Sequence, residues 1–384
     1  MIEREMKDIL LKRAKEYPVV TITGPRQSGK TTLVKSAFPK HTYVNLEDPE
    51  TRELAESDYR RFISMFPPPV IIDEIQRVPR LASAIQVAVD ANRNAKGQFI
   101  LTGSHQPNLK QTVSQSLAGR SAFLKLLPLT FAELRHCLPK QKMTVDECIL
   151  RGAMPELAAG QIAPNAYYRN YIQSYLDRDV RQVGSIRQTS AFNRFLVLLA
   201  GRTAQLLNLN ALSGEVGVSH TTLSGWLDML EASFIVFRLQ PYHANIGKRM
   251  VKTPKVYFSE TGLAASLLGL KTVEQVSHDP LRGNLFENLV VTDFVKRALN
   301  RDDEGDLFFF RTSDGLEIDL VRRRAKGWQP IEIKSSETYS GALLHGLDAY
   351  RRLVPDTVEP SLVYAGKTLP ASEPTRVANF LEFD

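Results

Sequence analysis

Eight consecutive residues, Gly24-Pro-Arg-Gln-Ser-Gly-Lys-Thr31, constrain this chain more than any others, because they have the spacing GxxxxGK[ST]. A short apolar run, residues 18–23, precedes them, and a helical pattern opens near Lys30. Strand, glycine-bearing loop and helix in that order make a cradle for phosphate: successive backbone N–H groups turn inward and the helix N-terminus adds a favourable dipole. The expected phosphate-binding set is Gly24, Pro25, Arg26, Gln27, Ser28, Gly29, Lys30, Thr31 and the adjoining Thr32. The Lys30 ammonium suits the β- and γ-phosphates of ATP, and the Thr31 hydroxyl suits Mg2+. Such a unit belongs in a parallel sheet whose strands are joined by helices.

The rest of the first third fits that sheet. Residues 42–46, 69–73 and 98–102 read as short buried strands, and 81–92 as a helix. The third strand, Val70-Ile-Ile-Asp73-Glu74, ends in two acids. Asp73 is placed to hold the Mg2+ shell, and Glu74 to polarise the water that attacks the γ-phosphate. The strand ending Thr102-Gly103-Ser104 offers Ser104 or Thr102 as a hydrogen-bonding partner for that water, although a plain strand-ending turn reads the same way. Arg120 is a candidate to neutralise γ-phosphate charge, in its own subunit or from a neighbour. A surface salt bridge is the competing reading for Arg120, and Arg26 is open to the same two readings.

At 384 residues the chain is long enough for two or three domains. Its formal charge of +7 favours an anionic partner such as nucleic acid. Cys137 and Cys148 form neither a CxxC pair nor a zinc spacing, which points to two reduced thiols. The opening Met-Ile-Glu-Arg-Glu lacks a secretory pattern, and no uncharged apolar run approaches the roughly 18 residues of a membrane span, so the expectation is a cytoplasmic protein without a membrane anchor.

Residues 131–200 read as mostly helical, broken at Pro139, Pro155 and Pro164. Within 211–230, Gly217 marks a turn and Ser219 a cap between two helices. Leu223, Trp226, Leu227 and Leu230 then give the second helix one apolar face, leaving His220, Thr221 and Ser224 outward. Residues 234–239 and 255–258 are strand candidates for a wing beside Lys248, Arg249 and Lys252. The second helix carries no Arg or Lys on that outward face, which favours backbone contact with DNA over base reading, or a protein partner instead.

In the tail, Glu287 falls on an expected helix, 285–299. Residues 308–311 and 316–323 read as a strand pair, and Gly327 to Pro330 as a turn leading into a strand at 331–334. Alternation puts Glu332 and Lys334 on one strand face, and Glu317 and Asp319 on one face of the other. If the strands are neighbours, Asp319, Glu332 and Lys334 converge. Two carboxylates then hold Mg2+, Lys334 orients a water, and Glu287 completes the metal shell. The competing reading is an amphipathic hairpin with a solvated charged face. The run Arg322, Arg323, Arg324 and Lys326 beside it suits a phosphate backbone or a solvated loop.

The motifs GPRQSGKTTL, NLEDPE, VIIDEIQRVP, LTGSHQPNL and SLAGRSAFLKLLPLTFAEL occur in this order, followed by YIQSYLDRDV and FENLVVTDF…EIDLV…IEIKSS. In this the chain resembles the AAA+ superfamily ATPases that carry a C-terminal DUF4143 domain, over nearly its whole length. The resemblance implies an ATPase core, a winged-helix segment and a tail folded like the PD-(D/E)XK nucleases. Asp319, Glu332 and Lys334 stand in the places of that pattern, and Ile318 stands where the pattern has Pro. It also implies self-assembly into rings, often hexamers. The expected fold is α/β and multidomain: a P-loop parallel-sheet core over 1–136, a helical segment over 137–199, a winged helix over 200–258 and a restriction-endonuclease-like α/β domain over 259–384. The leading expectation is an ATP- and Mg2+-dependent enzyme that engages DNA through its backbone or at branches, with a tail that is a candidate for cutting it. The alternative is a nucleotide-dependent switch with a silent tail and a protein partner.

Overall fold

The computed structural model describes residues 2–104, 116–137, 143–160, 162–175, 189–242, 250–303, 305–370 and 374–383. The chain divides into two compact units. The first comprises Met1–Leu129 with two remote pieces, Met229–Ile235 and Lys296–Asp303, and the second holds the remainder. No described helix is long and apolar enough to cross a membrane. Lys248 and Arg249 of the expected basic stretch, and Pro139, lie outside the described residues.

In the first unit five strands, β1 (Val19–Thr23), β2 (Thr42–Asn45), β3 (Val70–Asp73), β4 (Phe99–Gly103) and β5 (Ser121–Lys125), form one sheet in the order β2-β3-β4-β1-β5. Every pairing in it is parallel. Parallel strands need crossovers, and these are supplied by helices that cover both faces. Neighbouring residues on one strand therefore feed two separate cores. Val20, Ile22, Ile71 and Ile100 pack with Met6 and Leu10 of α1 (Met6–Glu16) and with Leu33 and Val34 of α2 (Lys30–Ala37). Val19, Val70, Ile72 and Leu101 pack on the other face, with Phe62 of the helix Tyr59–Met65 and with Ile85 and Val89 of α3 (Leu81–Ala91). Burial on both sides explains why these strands read as unbroken apolar runs. It also brings the carboxyl ends of β1, β3 and β4 together at one sheet edge, where ligands bind in open α/β sheets.

The second unit begins with helices. Pro155 and Pro164 do not interrupt a helix; each is the first residue of one, Pro155–Ala158 and Pro164–Tyr175. The missing N–H costs nothing there, because the first turn has no intrahelical acceptor for it. Helix α4 (Thr189–Ala200) presents Phe192 and Phe195 to Trp226 of α6 (His220–Ala232). Between α5 (Leu209–Val216) and α6, Gly217 takes a φ of 80° and Ser219 Oγ accepts from Thr222 N at 3.1 Å. His220 and Thr221 are exposed and Ser224 is half-buried. Strands β6 (Gln205–Leu206), β7 (Val236–Leu239) and β8 (Lys255–Phe258) follow as an antiparallel sheet in the order β6-β8-β7.

The tail is a mixed five-stranded sheet, ordered β13-β12-β11-β10-β9. Its strands are β9 (Leu307–Arg311), β10 (Glu317–Arg324), β11 (Gly327–Lys334), β12 (Ser361–Tyr364) and β13 (Arg376–Asn379). The first three pair antiparallel and the last three parallel. One expectation is corrected here. Gly327 to Pro330 is not a turn but the first half of β11, paired with Val321 to Arg324. Gly327 serves close approach instead: a Cβ there would lie 2.2 Å from the Asp356 carbonyl oxygen, and Trp328 N donates to that oxygen at 2.8 Å. Against β9 the register of β10 slips by one residue between Ile318 and Val321, a bulge in the stretch that holds Asp319 and Leu320.

Candidate functional site

The phosphate loop is held from below and braced from outside. A Cβ on Gly24 would stand 2.1 Å from the Leu126 carbonyl oxygen, so only glycine fits this crossing. Gly29, with a φ of 92°, turns the chain into α2. The buried Arg4 guanidinium donates to Ser28 O at 2.6 Å and to Leu127 O at 2.8 Å, tying the loop to the segment after β5. Ser28 Oγ is buried and, among the described residues, has no hydrogen-bonding partner. Lys30 is buried too, its ammonium donating to Gly24 O at 3.1 Å and Pro25 O at 2.8 Å. Burial pushes its pKa down to about 8, against the pull of Glu74 and Asp73 and with help from Arg26. A cation desolvated over an inward-turned loop is poised for a polyanion, which would restore its full charge. Arg26 is half-buried, Gln27 is exposed with a φ of 61°, and Thr32 is exposed on α2.

Across from Lys30 stands the acid pair at the end of β3. Asp73 accepts three hydroxyls: Thr31 Oγ1 at 2.8 Å and Tyr43 OH at 2.7 Å on Oδ2, and Thr102 Oγ1 on Oδ1. Burial and the adjacent carboxylate raise the Tyr43 hydroxyl far above its ordinary range, so it stays a donor. Thr31 Oγ1 and Asp73 Oδ2 are a hard-oxygen pair of the kind Mg2+ takes when waters and phosphate oxygens complete its octahedron, so these residues fit that ion. Glu74 follows in a left-handed conformation, φ 59°, rare for a residue with a side chain. Its Oε2 accepts from Ser104 Oγ at 2.9 Å and from the Gln76 amide. Thr102 Oγ1, besides bonding Asp73, accepts from Glu74 N at 3.3 Å.

Lys30, Thr31, Asp73, Glu74, Thr102 and Ser104 thus share one sheet edge. Arg120 does not join them: its guanidinium grips Asp90 through two hydrogen bonds of 2.8 and 2.9 Å. Tyr43, Gln76 and Arg4 escaped the sequence reading. Gln76 had a local signal, two residues beyond the acid. Tyr43 and Arg4 had none, because they reach the site across the fold.

The tail cluster lies in the second unit. Lys334 Nζ stands 2.6 Å from Glu332 Oε1 and 3.5 Å from Asp319 Oδ2, which also accepts from Ile333 N at 2.8 Å. The three residues named from the sequence therefore meet, but a fourth that was not named joins them. Lys255 of β8, with a side chain 2% exposed, reaches Glu287 Oε1 at 2.8 Å and Glu317 Oε1 at 2.6 Å. Tyr257 OH donates to the same Glu287 oxygen at 2.7 Å, and Arg311 holds the other Glu317 oxygen at 2.7 Å. Burial pushes the Glu287 carboxyl up to about 7, with Lys255 pulling it back and Asp319 adding to the rise. Glu332 is raised by burial and by Asp319. Burial would depress the Lys255 ammonium, but Glu287, Asp319 and Glu317 together hold it above its ordinary range.

In this arrangement lysines engage the carboxylates of the set. Glu287 and Glu317 are committed to Lys255, and Lys334 sits against both Asp319 and Glu332. Among the described residues no group of three or more His, Cys, Asp or Glu side chains could hold a metal ion. Glu287, Asp319 and Glu332 of the expected shell thus each face a lysine, while Glu332 Oε2 is buried and, among the described residues, without a hydrogen-bonding partner.

Comparison with known proteins places an AAA domain at residues 16–135. It places a domain of unknown function, DUF8612, at 143–274 and a second, DUF4143, at 282–380. An uncharacterized protein of Mycobacterium tuberculosis (strain ATCC 25618 / H37Rv) is 32% identical over 346 residues, covering 88% of this chain and 76% of that one. An uncharacterized protein of Haemophilus influenzae is 25% identical over 373 residues, covering 88% of each. Among solved structures, a Walker-type ATPase of Pyrococcus abyssi matches with a TM-score of 0.47 and 15% identity, covering 70% of this chain and 96% of that one.

Proposed function

The chain belongs to the same family as the Mycobacterium tuberculosis protein, and from that premise, with the AAA domain at its N-terminal end, we propose that it binds and hydrolyses ATP. One observation carries the reading. A buried lysine on a phosphate loop faces an acid pair whose first member is locked by three hydroxyls and whose second is held by Ser104 and Gln76. Lys30 and the loop amides take the β- and γ-phosphates, and the α2 N-terminus adds its dipole. Thr31 and Asp73 would hold Mg2+, which when bound offsets charge on the phosphate oxygens. Glu74 accepts a proton from the attacking water, whose oxygen bonds to the γ-phosphorus as the bridging bond to ADP breaks.

DNA is the proposed partner of this turnover, supported by the net charge of +7 and by exposed Lys252, Arg323, Arg324 and Lys326. Cleavage by the tail is not part of the proposal. The buried Lys255 pairs favour a tail cluster that is structural and catalytically silent.

Phosphate release and binding of a fluorescent ATP analogue, measured on wild type, Lys30→Ala and Glu74→Gln with and without DNA, test the reading. Lys30→Ala should lose both binding and turnover. Glu74→Gln should keep binding and hydrolyse roughly 10²-fold more slowly. DNA should stimulate wild type, and the effect should fade with salt. Normal turnover by Glu74→Gln would remove the assigned base, and indifference to DNA would remove the partner.

A further inference from the structure

Glu74 is not free to turn, and what holds it has chemistry of its own. Gln76 sits on the short 3-10 turn Ile75–Arg77 that directly follows the acid. Its amide nitrogen donates to Glu74 Oε2 and reaches Ser104 Oγ at 3.3 Å, while Ser104 Oγ donates to the same Glu74 oxygen at 2.9 Å. Glu74, Ser104 and Gln76 thus form a closed ring of side chains. The ring fixes which way the Gln76 amide faces, because the opposite orientation would set its carbonyl oxygen against a carboxylate oxygen. Gln76 Oε1 is therefore turned away from Glu74 Oε2. It is buried, and among the described residues it has no hydrogen-bonding partner. A buried acceptor left unmade is costly, and beside a catalytic acid a water that arrives to bond it is one physical reason for a fold to keep it.

An attacking water has two hydrogens to place and one lone pair to aim. We propose that Gln76 Oε1 is the second acceptor for that water, beside Glu74. One hydrogen goes to the Glu74 carboxylate, which takes it as a proton during the reaction, and the other stays bonded to Gln76 Oε1. With both hydrogens placed, the lone pair is aimed at the γ-phosphorus. Gln76 takes no proton, and its amide remains neutral throughout. The inference rests on the ATPase reading above and adds a residue to it.

A brace and a water ligand predict different kinetics, so the test is a double-mutant cycle. Gln76→Met removes donor and acceptor at nearly constant length. Single-turnover hydrolysis of labelled ATP and ATP affinity are measured for wild type, Gln76→Met, Glu74→Gln and the double variant, with Lys30→Ala as the blank. Gln76→Met should lower kcat roughly 10²-fold while leaving ATP affinity within about twofold, less than one net hydrogen bond. In the Glu74→Gln background it should lower the residual rate by a further factor of about ten, the size of one lost hydrogen bond. If Gln76 acts only by holding Glu74, adding Gln76→Met to Glu74→Gln changes nothing, and the proposal is overturned. Loss of ATP affinity in step with turnover would also overturn it, by making Gln76 structural. Either result leaves the ATPase reading standing, whereas wild type that hydrolyses no faster than Lys30→Ala would remove both.

Discussion

Replacing Lys255 with Met strands Glu287, and the cost can be worked from the structure. The ammonium is 2% exposed and bridges Glu287 at 2.8 Å and Glu317 at 2.6 Å. Glu317 is 26% exposed and keeps Arg311, so it loses little. Glu287 is 13% exposed and keeps only the Tyr257 hydroxyl among the partners described above. Removing one partner of a buried pair costs about 3–5 kcal/mol. A stranded carboxylate escapes by taking a proton, at about 1.4 kcal/mol for each pH unit above its ordinary value near 4.5. Wild type already bears most of that cost, because its own value in the fold is about 7, so protonation caps the added loss at about 1 kcal/mol at pH 7.5 and near zero at pH 5.5. The sign follows from linkage. Glu287 already titrates in the fold at about 7, above its unfolded value, so its contribution favours the fold in acid and is lost as pH rises through that window. Without Lys255 the folded value climbs further and the window extends upward. Urea titrations followed by tryptophan fluorescence read the right transition, because Trp226 and Trp328 both lie in the second unit. Lys255→Met should be weaker than wild type by up to about 1 kcal/mol at pH 7.5 and level with it at pH 5.5, and adding Glu287→Gln should recover most of the difference. A loss independent of pH, or no recovery in the double variant, would refute the reasoning.

Two further predictions concern the loop. Arg4→Met leaves the Ser28 and Leu127 carbonyls without their charged donor. Calorimetry should show the first unit destabilised by about 2–3 kcal/mol, with weaker nucleotide binding. Gly24→Ala drives a methyl to within 2.1 Å of Leu126 O, so the loop must move. Nucleotide titration should show affinity lost at a stability cost of about 1–3 kcal/mol, and unchanged affinity would mean that the loop tolerates a shift there.

Much of the first unit was legible because its rules are local. Residues 19–23, 70–73 and 99–103 are mostly apolar and buried on both strand faces, and the loop motif names its own glycines and lysine. Strand β8, Lys255–Phe258, falls where the sequence offered a strand candidate, yet nothing local marks Lys255 as the partner of a carboxylate 32 residues away. Pro155 and Pro164 read as breaks because proline stops one helix and starts another with the same ring geometry. Gly327 read as a turn because its actual reason, the Asp356 carbonyl, lies elsewhere in the chain.

By itself the amino-acid order determined the strand–loop–helix that cradles phosphate, the acid pair at the end of β3 and the shared strand faces of Glu317 with Asp319 and of Glu332 with Lys334. Each follows from backbone periodicity and from contacts within one or two neighbouring elements. Tertiary structure alone decided that Tyr43 and Thr102 would lock Asp73, that Arg4 would brace the loop, and that Lys255 would close the tail cluster with ion pairs. The physical reason is burial. A polar side chain taken out of water must find its partner wherever the packed fold brings one, and the distance along the chain plays no part in that choice.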